Sequence, residues 1–373
     1  MRRAAGASGS DGRRDGEIVR RLCGWFEANA RELPWRRVGA DGRRDAYRSL
    51  VSEFMLQQTQ VSRVCESFGA FLSRFPTVAD LAGAELGEVL EAWAGLGYYR
   101  RARHLHAAAK MIVAEFGGAV PREVESLMRL PGVGRYTAGA IASMVFGDAA
   151  PLVDGNVARV LLRVEGREIE AAAGVKRAWT RAEGLVSKSA ATRGCSPGVF
   201  NEGLMELGAV VCTPAAPACE RCPLGGVCEA RRLGAQARIP RPKARPERSG
   251  IVHSSVIVRD GAGWILVERR PEKGLWAGLW QAPTLETSRR PTPKKVAAWM
   301  GVKSVRRIGG FVHQTTHRSV EFVVWDGGVG GDGPARAGEG RKWVGSYAGL
   351  ALGNAQRRVL AMAEGALGVG AGG

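Results

Sequence analysis

The chain has 373 residues, a net charge of +18 and a sequence pI of about 10.3. That length allows two or three domains with full cores, and no apolar run is long enough to span a membrane, so the expectation is a soluble protein. The cationic excess points to a polyanionic partner, with nucleic acid the default; the bland alternative is a high Arg content without functional consequence.

In chain order, residues 1–16 are rich in Arg, Gly and Ser without a hydrophobic stretch and read as a basic disordered tail, not a targeting peptide. Residues 17–232 read as consecutive amphipathic helices joined by Gly/Pro turns. The segments Ile18–Ala30, Leu86–Ala94, Ala102–Phe116 and Phe200–Val211 carry apolar residues at helical spacing. Residues 233–248 form a basic linker whose prolines, in Arg238-Ile-Pro-Arg-Pro-Lys-Ala-Arg-Pro-Glu-Arg248, forbid a regular helix or interior strand. From residue 249 the pattern alternates: Ile251–Val258, Trp264–Glu268 and Phe322–Trp325 read as strands, Pro293–Met300 and Ala355–Glu364 as helices. Residues 249–366 are therefore an α+β domain, and the Gly-rich residues 367–373 a frayed tail.

Four cysteines, Cys212, Cys219, Cys222 and Cys228, lie within seventeen residues with gaps of six, two and five. Four thiolates so close can surround one metal centre, and soft sulfur selects zinc or an iron–sulfur cluster; spacing does not decide between them. A disulfide pair is the weaker reading, because Cys23, Cys65 and Cys195 stand isolated in the sequence and no secretory signal precedes them.

Three other stretches carry chemistry. Leu130-Pro-Gly-Val-Gly-Arg-Tyr-Thr-Ala-Gly-Ala-Ile141 lies between helical segments. Gly132, Val133 and Gly134 allow a tight hairpin whose amides open onto the next helix, an arrangement that suits a DNA phosphate or, more plainly, an ordinary helical corner. In Pro151-Leu-Val-Asp-Gly-Asn-Val-Ala-Arg159, Asp154 reads as a helix N-cap with Asn156 in the first turn. In Ser52-Glu-Phe-Met-Leu-Gln-Gln-Thr-Gln60, Glu53 and Gln57 are one helical turn apart. Phe54, Met55 and Leu56 surround Glu53 with apolar bulk, which favours a protonated carboxyl near neutral pH and so a general acid.

Taken together, the hairpin, the later Asp and the cysteine ladder resemble the endonuclease III superfamily of DNA glycosylases. Within it, Leu33-Pro-Trp-Arg36, Ser52–Gln60, Gly95-Leu-Gly-Tyr-Tyr99, Val153-Asp-Gly-Asn-Val157 and Phe200-Asn-Glu-Gly-Leu204 are similar to the MutY-type adenine DNA glycosylases. The resemblance implies a mainly α helix-hairpin-helix domain with an iron–sulfur cluster loop, followed by an α+β Nudix-like domain. Its Cys ladder would hold a [4Fe–4S] cluster. Its substrate would be duplex DNA with adenine opposite 8-oxoguanine or guanine, handled by a monomer in the cytoplasm at the nucleoid.

Carried over by position, Glu53 would protonate adenine N7, Asp154 would stabilise the oxocarbenium-like sugar, Tyr136 would brace that pair and Asn156 would hold the attacking water. Trp35, Arg36, Leu56 and Glu202 would line the adenine pocket, and Gln58 and Tyr98 would wedge into the duplex. The lyase branch has a lysine where this chain has Tyr136, and a phenol cannot form a Schiff base, so a monofunctional glycosylase is expected. The alternatives are an endonuclease III-like lyase on oxidised pyrimidines and a non-catalytic DNA binder.

Four departures from the family pattern stand out. Gly274-Leu-Trp-Ala-Gly-Leu-Trp-Gln-Ala-Pro283 and Phe311-Val-His-Gln-Thr-Thr-His317 match the appended domain, but its metal-binding pyrophosphatase signature is missing. Thr315 and Thr316 stand where the family has an aromatic–Ser pair; Thr316 and His317 would still contact 8-oxoguanine, with weaker discrimination. Residues Thr213–Ala218 carry no Lys or Arg, which weakens DNA contact there, and the polar loop Val38–Asp45 is expected to shift Arg36.

Overall fold

The computed structural model describes residues 5–241, 249–271, 273–315, 318–329 and 340–365. The described residues form two compact units, one within residues 1–83 and 104–244, the other within 84–103 and 245–373.

Most helices belong to the first unit: α1 (Ala5–Asn29), α2 (Ala46–Leu56), α3 (Val61–Arg74), α4 (Val78–Gly83), α5 (Leu86–Ala92, in the second unit), α6 (Arg100–Glu115, which spans the division), α7 (Val124–Arg129), α8 (Arg135–Met144), α9 (Gly155–Val164), α10 (Ala171–Ala190), α11 (Pro197–Val210) and α12 (Glu229–Arg232). Local chemistry sets several starts. The Asp45 carboxylate accepts from Arg48 N (2.7 Å) at the head of α2, Asp154 accepts from Val157 N (2.7 Å) at α9, and Ser196 accepts from Val199 N (3.2 Å) at α11, where Pro197 follows. Ile18 and Leu22 of α1, Val157, Val160 and Leu161 of α9, Leu185 of α10, and Phe200, Leu204 and Leu207 of α11 pack into one buried core. Each fully buried apolar side chain contributes about 1.5–3 kcal/mol, which fixes α9 and α11 side by side.

In the second unit the strands are β1 (Ser249–Arg259), β2 (Ile265–Arg269), β3 (Trp280–Gln281), β4 (Thr284–Thr287), β5 (Arg306–Gln314), β6 (Arg318–Val329) and β7 (Arg341–Val344), with α13 (Pro293–Met300) and α14 (Asn354–Gly365). Among the described residues they make one mixed sheet ordered β3-β2-β1-β6-β5, with β4 on β1 and β7 on β2. The pair β1–β6 is parallel, from Ser249 opposite Arg318 onward. Side chains alternate between the two faces of each strand. Val320, Phe322 and Val324 of β6 meet Val359 and Leu360 of α14, whereas Val323 and Trp325 join Val296 and Met300 of α13. Apolar residues of both central strands are thus buried on both faces of the sheet.

The structure corrects three sequence expectations. Residues 5–16 are not a disordered tail: they open α1, where Arg14 donates to the Val164 and Val227 carbonyls (both 2.9 Å) and Asp15 pairs with Arg181. Polar and small residues form that helix because its long-range anchors supply what apolar patterning does not. Cys23 and Cys195 are not isolated, being joined in a disulfide with Cα atoms 5.8 Å apart across 172 residues of sequence. Finally, residues 84–103 group with the second unit instead of the continuous 17–232 domain. The Tyr99 hydroxyl donates to the Leu352 carbonyl (2.9 Å) and Arg103 to that of Ala277 (3.3 Å). Residues 367–373 and residues 242–248 of the linker lie outside the described residues.

Candidate active site and cysteine loop

Glu53 sits midway along α2 at 5% exposure, walled by Phe54 and Met55, which are fully buried. Burial pushes its carboxyl up to about 8; the nearby Glu202 and Asp154 add to the rise, and Arg44 opposes it. Three acidic groups from three elements are therefore close enough to interact: Glu53 on α2, Asp154 at the head of α9 and Glu202 on α11. Tyr136 in the first turn of α8 joins them, its phenol raised well above the ordinary value by burial and then by Glu53 and Asp154. It is a neutral donor. Its hydroxyl donates to Met205 Sδ (3.7 Å), so the expected hydrogen bond bracing the carboxylates is replaced by a sulfur contact.

A directional chain runs through Asp154. Arg159 Nη2 donates to Asn156 Oδ1 (2.9 Å), Asn156 Nδ2 donates to Asp154 Oδ2 (3.2 Å), and Asp154 Oδ1 accepts from Val157 N. Arg159 also donates to the carbonyls of Cys212 (2.8 Å) and Gly208 (2.8 Å). Gly139 lets α8 approach the extended segment leading into Asp154, because a Cβ there would lie 2.0 Å from the Pro151 carbonyl oxygen.

The other face of the cleft is an ion-pair network. Trp35 is buried edge-on against Phe68 at 5.5 Å, and Leu56 is half-buried at the end of α2. Arg36, expected to be displaced by the polar loop that follows it, is held firmly: Nε donates to Glu202 Oε1 (2.9 Å), Nη2 to Glu206 Oε2 (2.9 Å) and Nη1 to the Arg31 carbonyl (3.0 Å), over the Phe26 ring. Arg31 pairs with Glu206 as well. Sequence reading missed Arg31, Arg44, Arg159 and Glu206. The signal available was helical spacing, since Glu206 lies one turn beyond Glu202 and Arg159 one turn beyond Asn156.

The hairpin between α7 and α8 takes the expected form. Val133 N donates to the Leu130 carbonyl (3.0 Å), and Gly132 adopts φ +81° where a Cβ would meet His104 and Phe54 within 2.9 Å. Gly134 precedes α8 without a side-chain cap, so the first amides of the helix keep no internal partner. Gln58 (φ 58°) and Tyr98 (φ 46°) are two of three non-glycine residues in the left-handed region among the described residues, a conformation costing about 1–3 kcal/mol that concentrates at functional sites. Tyr98, in the second unit, is 52% exposed with Arg101 across its ring. Thr315 Oγ1 accepts from Arg318 N (2.9 Å); Thr316 and His317 lie outside the described residues.

Cys212, Cys219, Cys222 and Cys228 line one small cavity of about 20 Å³. Arg163 Nη1 donates to Cys212 Sγ (3.4 Å) and Gln236 Nε2 to Cys219 Sγ (3.6 Å). Burial pushes the Cys222 thiol up to about 11, so thiolates there need a bound cation. This donor set fits a soft-metal group, although as arranged no three or more His, Cys, Asp or Glu among the described residues form a metal-ion site. The uncharged loop after Cys212 is secured from behind: Arg163 donates to the carbonyls of Thr213 (2.7 Å) and Pro214 (3.0 Å). Of the basic residues nearby, Arg231 and Arg232 are paired with Glu220 and Glu229.

Residues 51–180 match the HhH-GPD superfamily of base excision DNA repair proteins, and residues 255–362 match the NUDIX domain. A thermostable thymine-DNA glycosylase superimposes with a TM-score of 0.53 at 28% identity, covering 60% of this chain and 99% of that one. The human adenine DNA glycosylase is 36% identical over 383 residues, spanning 87% of this chain and 69% of the relative; the rat enzyme is likewise 36% identical, with 87% and 73% covered. The chain belongs to the adenine DNA glycosylase family of base excision repair enzymes. Among the described residues no helix is long and apolar enough to cross a membrane.

Proposed function

We propose that this protein is a monofunctional glycosylase that releases adenine mispaired with 8-oxoguanine or guanine in duplex DNA. The observation that carries this reading is the buried Glu53 carboxyl, raised to about 8, with Asp154 near enough to add to the rise. Glycosidic cleavage needs an acid for the leaving group and an anion for the sugar cation. Glu53 donates its proton to N7, so adenine leaves neutral. The Asp154 carboxylate faces the positive charge developing on the deoxyribose. Asn156, which already donates to Asp154, orients the attacking water, and Trp35, Arg36, Leu56 and Glu202 hold the extruded base. The strained Gln58 and Tyr98 support wedge roles. Gly132, Val133 and Gly134, with the uncapped α8, support a phosphate contact. Thr316 and His317 remain lesion-reading residues of this proposal.

A duplex with adenine opposite 8-oxoguanine tests the reading. Strand cleavage is expected only after alkali or heat, because Tyr136 has no amine and its phenol stays protonated. Scission without alkali, in step with base release, contradicts it.

The cysteine cavity is read as the seat of a [4Fe–4S] cluster held by Cys212, Cys219, Cys222 and Cys228. When bound, such a cluster supplies a rigid fourfold crosslink; the residues of the cleft carry the chemistry. Purified protein should contain iron and acid-labile sulfide in near-equal amounts. Cys222→Ser should lose both and unfold at lower temperature by the equivalent of about 2–5 kcal/mol, by analogy with other native crosslinks. Stoichiometric zinc without sulfide rejects the cluster assignment.

A further inference from the structure

We propose that Arg44 is a positioning residue of the adenine pocket: the polar loop before α2 folds back to set its guanidinium on the second oxygen of Glu202. The proposal rests on the glycosylase reading above and extends it to a residue outside the recognised motifs. Val38 and Arg44 form an antiparallel bridge, Gly39 N donates to the Arg43 carbonyl (2.8 Å), Arg43 N donates to Asp41 Oδ1 (3.0 Å), and Gly42 turns the chain at φ +72°. On the other side Asp45 caps α2. Arg44 is therefore fixed between a closed hairpin and a helix cap, beside the element that carries Glu53.

Its Nη2 donates to Glu202 Oε2 at 2.6 Å while Arg36 Nε occupies Oε1, so the Glu202 carboxylate is held from both sides and cannot rotate. Each oxygen keeps a second lone pair, which an exocyclic amine such as that of adenine can use. Both partners are largely shielded, with side chains 17% and 5% exposed, so the pair is not a solvent-screened surface bridge. The network then alternates in sign from end to end: Arg31, Glu206, Arg36, Glu202, Arg44. Arg44 is its terminal cation.

Arg44 also reaches Glu53 through space. The groups acting on that carboxyl are Glu202 from α11 and Asp154 from the head of α9, both raising it, and Arg44 from the loop, lowering it; the neutral Tyr136 of α8 is a further neighbour. Removing the guanidinium leaves two anions unopposed. Glu53 then holds its proton to higher pH while Glu202 loses one of its two anchors, and these effects separate experimentally.

The test compares single-turnover adenine release by the full-length wild type, Arg44→Ala and Arg44→Lys across neutral to alkaline pH. Melting temperatures and affinities are measured in parallel for duplexes carrying a non-cleavable adenine analogue or an abasic analogue. Arg44→Ala should lower the plateau rate about tenfold or more, weaken only the adenine-analogue duplex, and move the alkaline limb upward. Arg44→Lys should return the limb towards wild type, since it restores the charge. An Arg44→Ala protein with the wild-type rate and limb overturns the proposal, as does a rate loss matched by lower melting temperature with the limb unmoved. A wild type that leaves adenine in place removes the glycosylase reading itself, a result distinct from either.

Discussion

Glu53→Gln should lower single-turnover adenine release by about 10³-fold while leaving duplex affinity close to wild type, the upper half of the range for general acid catalysis. Glutamine matches the shape of the protonated carboxyl and cannot give up a proton, so adenine would have to leave as an anion. The pH dependence follows from the same burial. With its carboxyl raised to about 8, Glu53 is mostly protonated at neutral pH, and the wild-type rate should fall as pH rises through about 8. Stability moves the same way. A carboxyl raised on folding favours the native state fully below its unfolded value, near 4.5, and loses that contribution as pH climbs to about 8. Glu53→Gln does not titrate, so its melting temperature should gain on wild type from about pH 5 to about pH 8 and hold that lead above it. Retention of more than a tenth of the activity, or a constant difference in melting temperature, would rule out Glu53 as the buried acid.

Such a trade is expected where a catalytic group is kept in an environment that disfavours its charged form. It also explains what the sequence revealed. The raised carboxyl of Glu53 was legible because apolar Phe54, Met55 and Leu56 follow it directly in the sequence. Asp154 was legible as a cap because a capping carboxylate bonds within its own turn. Strands β1 and β6 were legible in part, through the segments Ile251–Val258 and Phe322–Trp325, whose apolar residues meet α13 and α14. Long-range partnerships left no such trace. Arg44 meets Glu202 across 158 positions and Arg31 meets Glu206 across 175; an exposed arginine in a polar loop has the same local sequence as a buried one. The Cys23–Cys195 disulfide was missed for the same reason. Residues 5–16 were misjudged because composition predicts disorder when apolar burial is scarce, whereas this segment gains order from Arg14 and Asp15 reaching distant groups. Helix caps and periodicity are one-dimensional signals. Ion-pair networks that shape a cleft are not.

Asp154 offers the sharpest separation of folding from chemistry. As an N-cap it accepts from Val157 N, a task asparagine performs equally well; as the proposed anion facing the sugar it must be charged. Asp154→Asn should therefore lose about 10²–10³-fold in rate, the usual loss when a preorganised electrostatic group is removed. It should also lose roughly 1 kcal/mol of stability, for a reason the capping role does not contain. The chain Arg159 to Asn156 to Asp154 has a fixed polarity: a guanidinium only donates, a carboxylate only accepts, and Asn156 is oriented between them. In Asp154→Asn the introduced amide caps through its oxygen, so its nitrogen faces that of Asn156. Two donors meet, and Asn156 cannot turn without presenting a donor to Arg159. The reciprocal change Asn156→Asp removes the conflict, because a carboxylate at 156 accepts from both sides. The double variant Asp154→Asn/Asn156→Asp should thus recover the melting temperature of wild type while staying near the rate of Asp154→Asn, since the negative charge has moved off the position that faces the sugar. Recovery of both would show that the cleft needs only a carboxylate nearby. Recovery of neither would show that the hydrogen-bond order does not set stability here. Only the split outcome supports a carboxylate that must stand at position 154 itself.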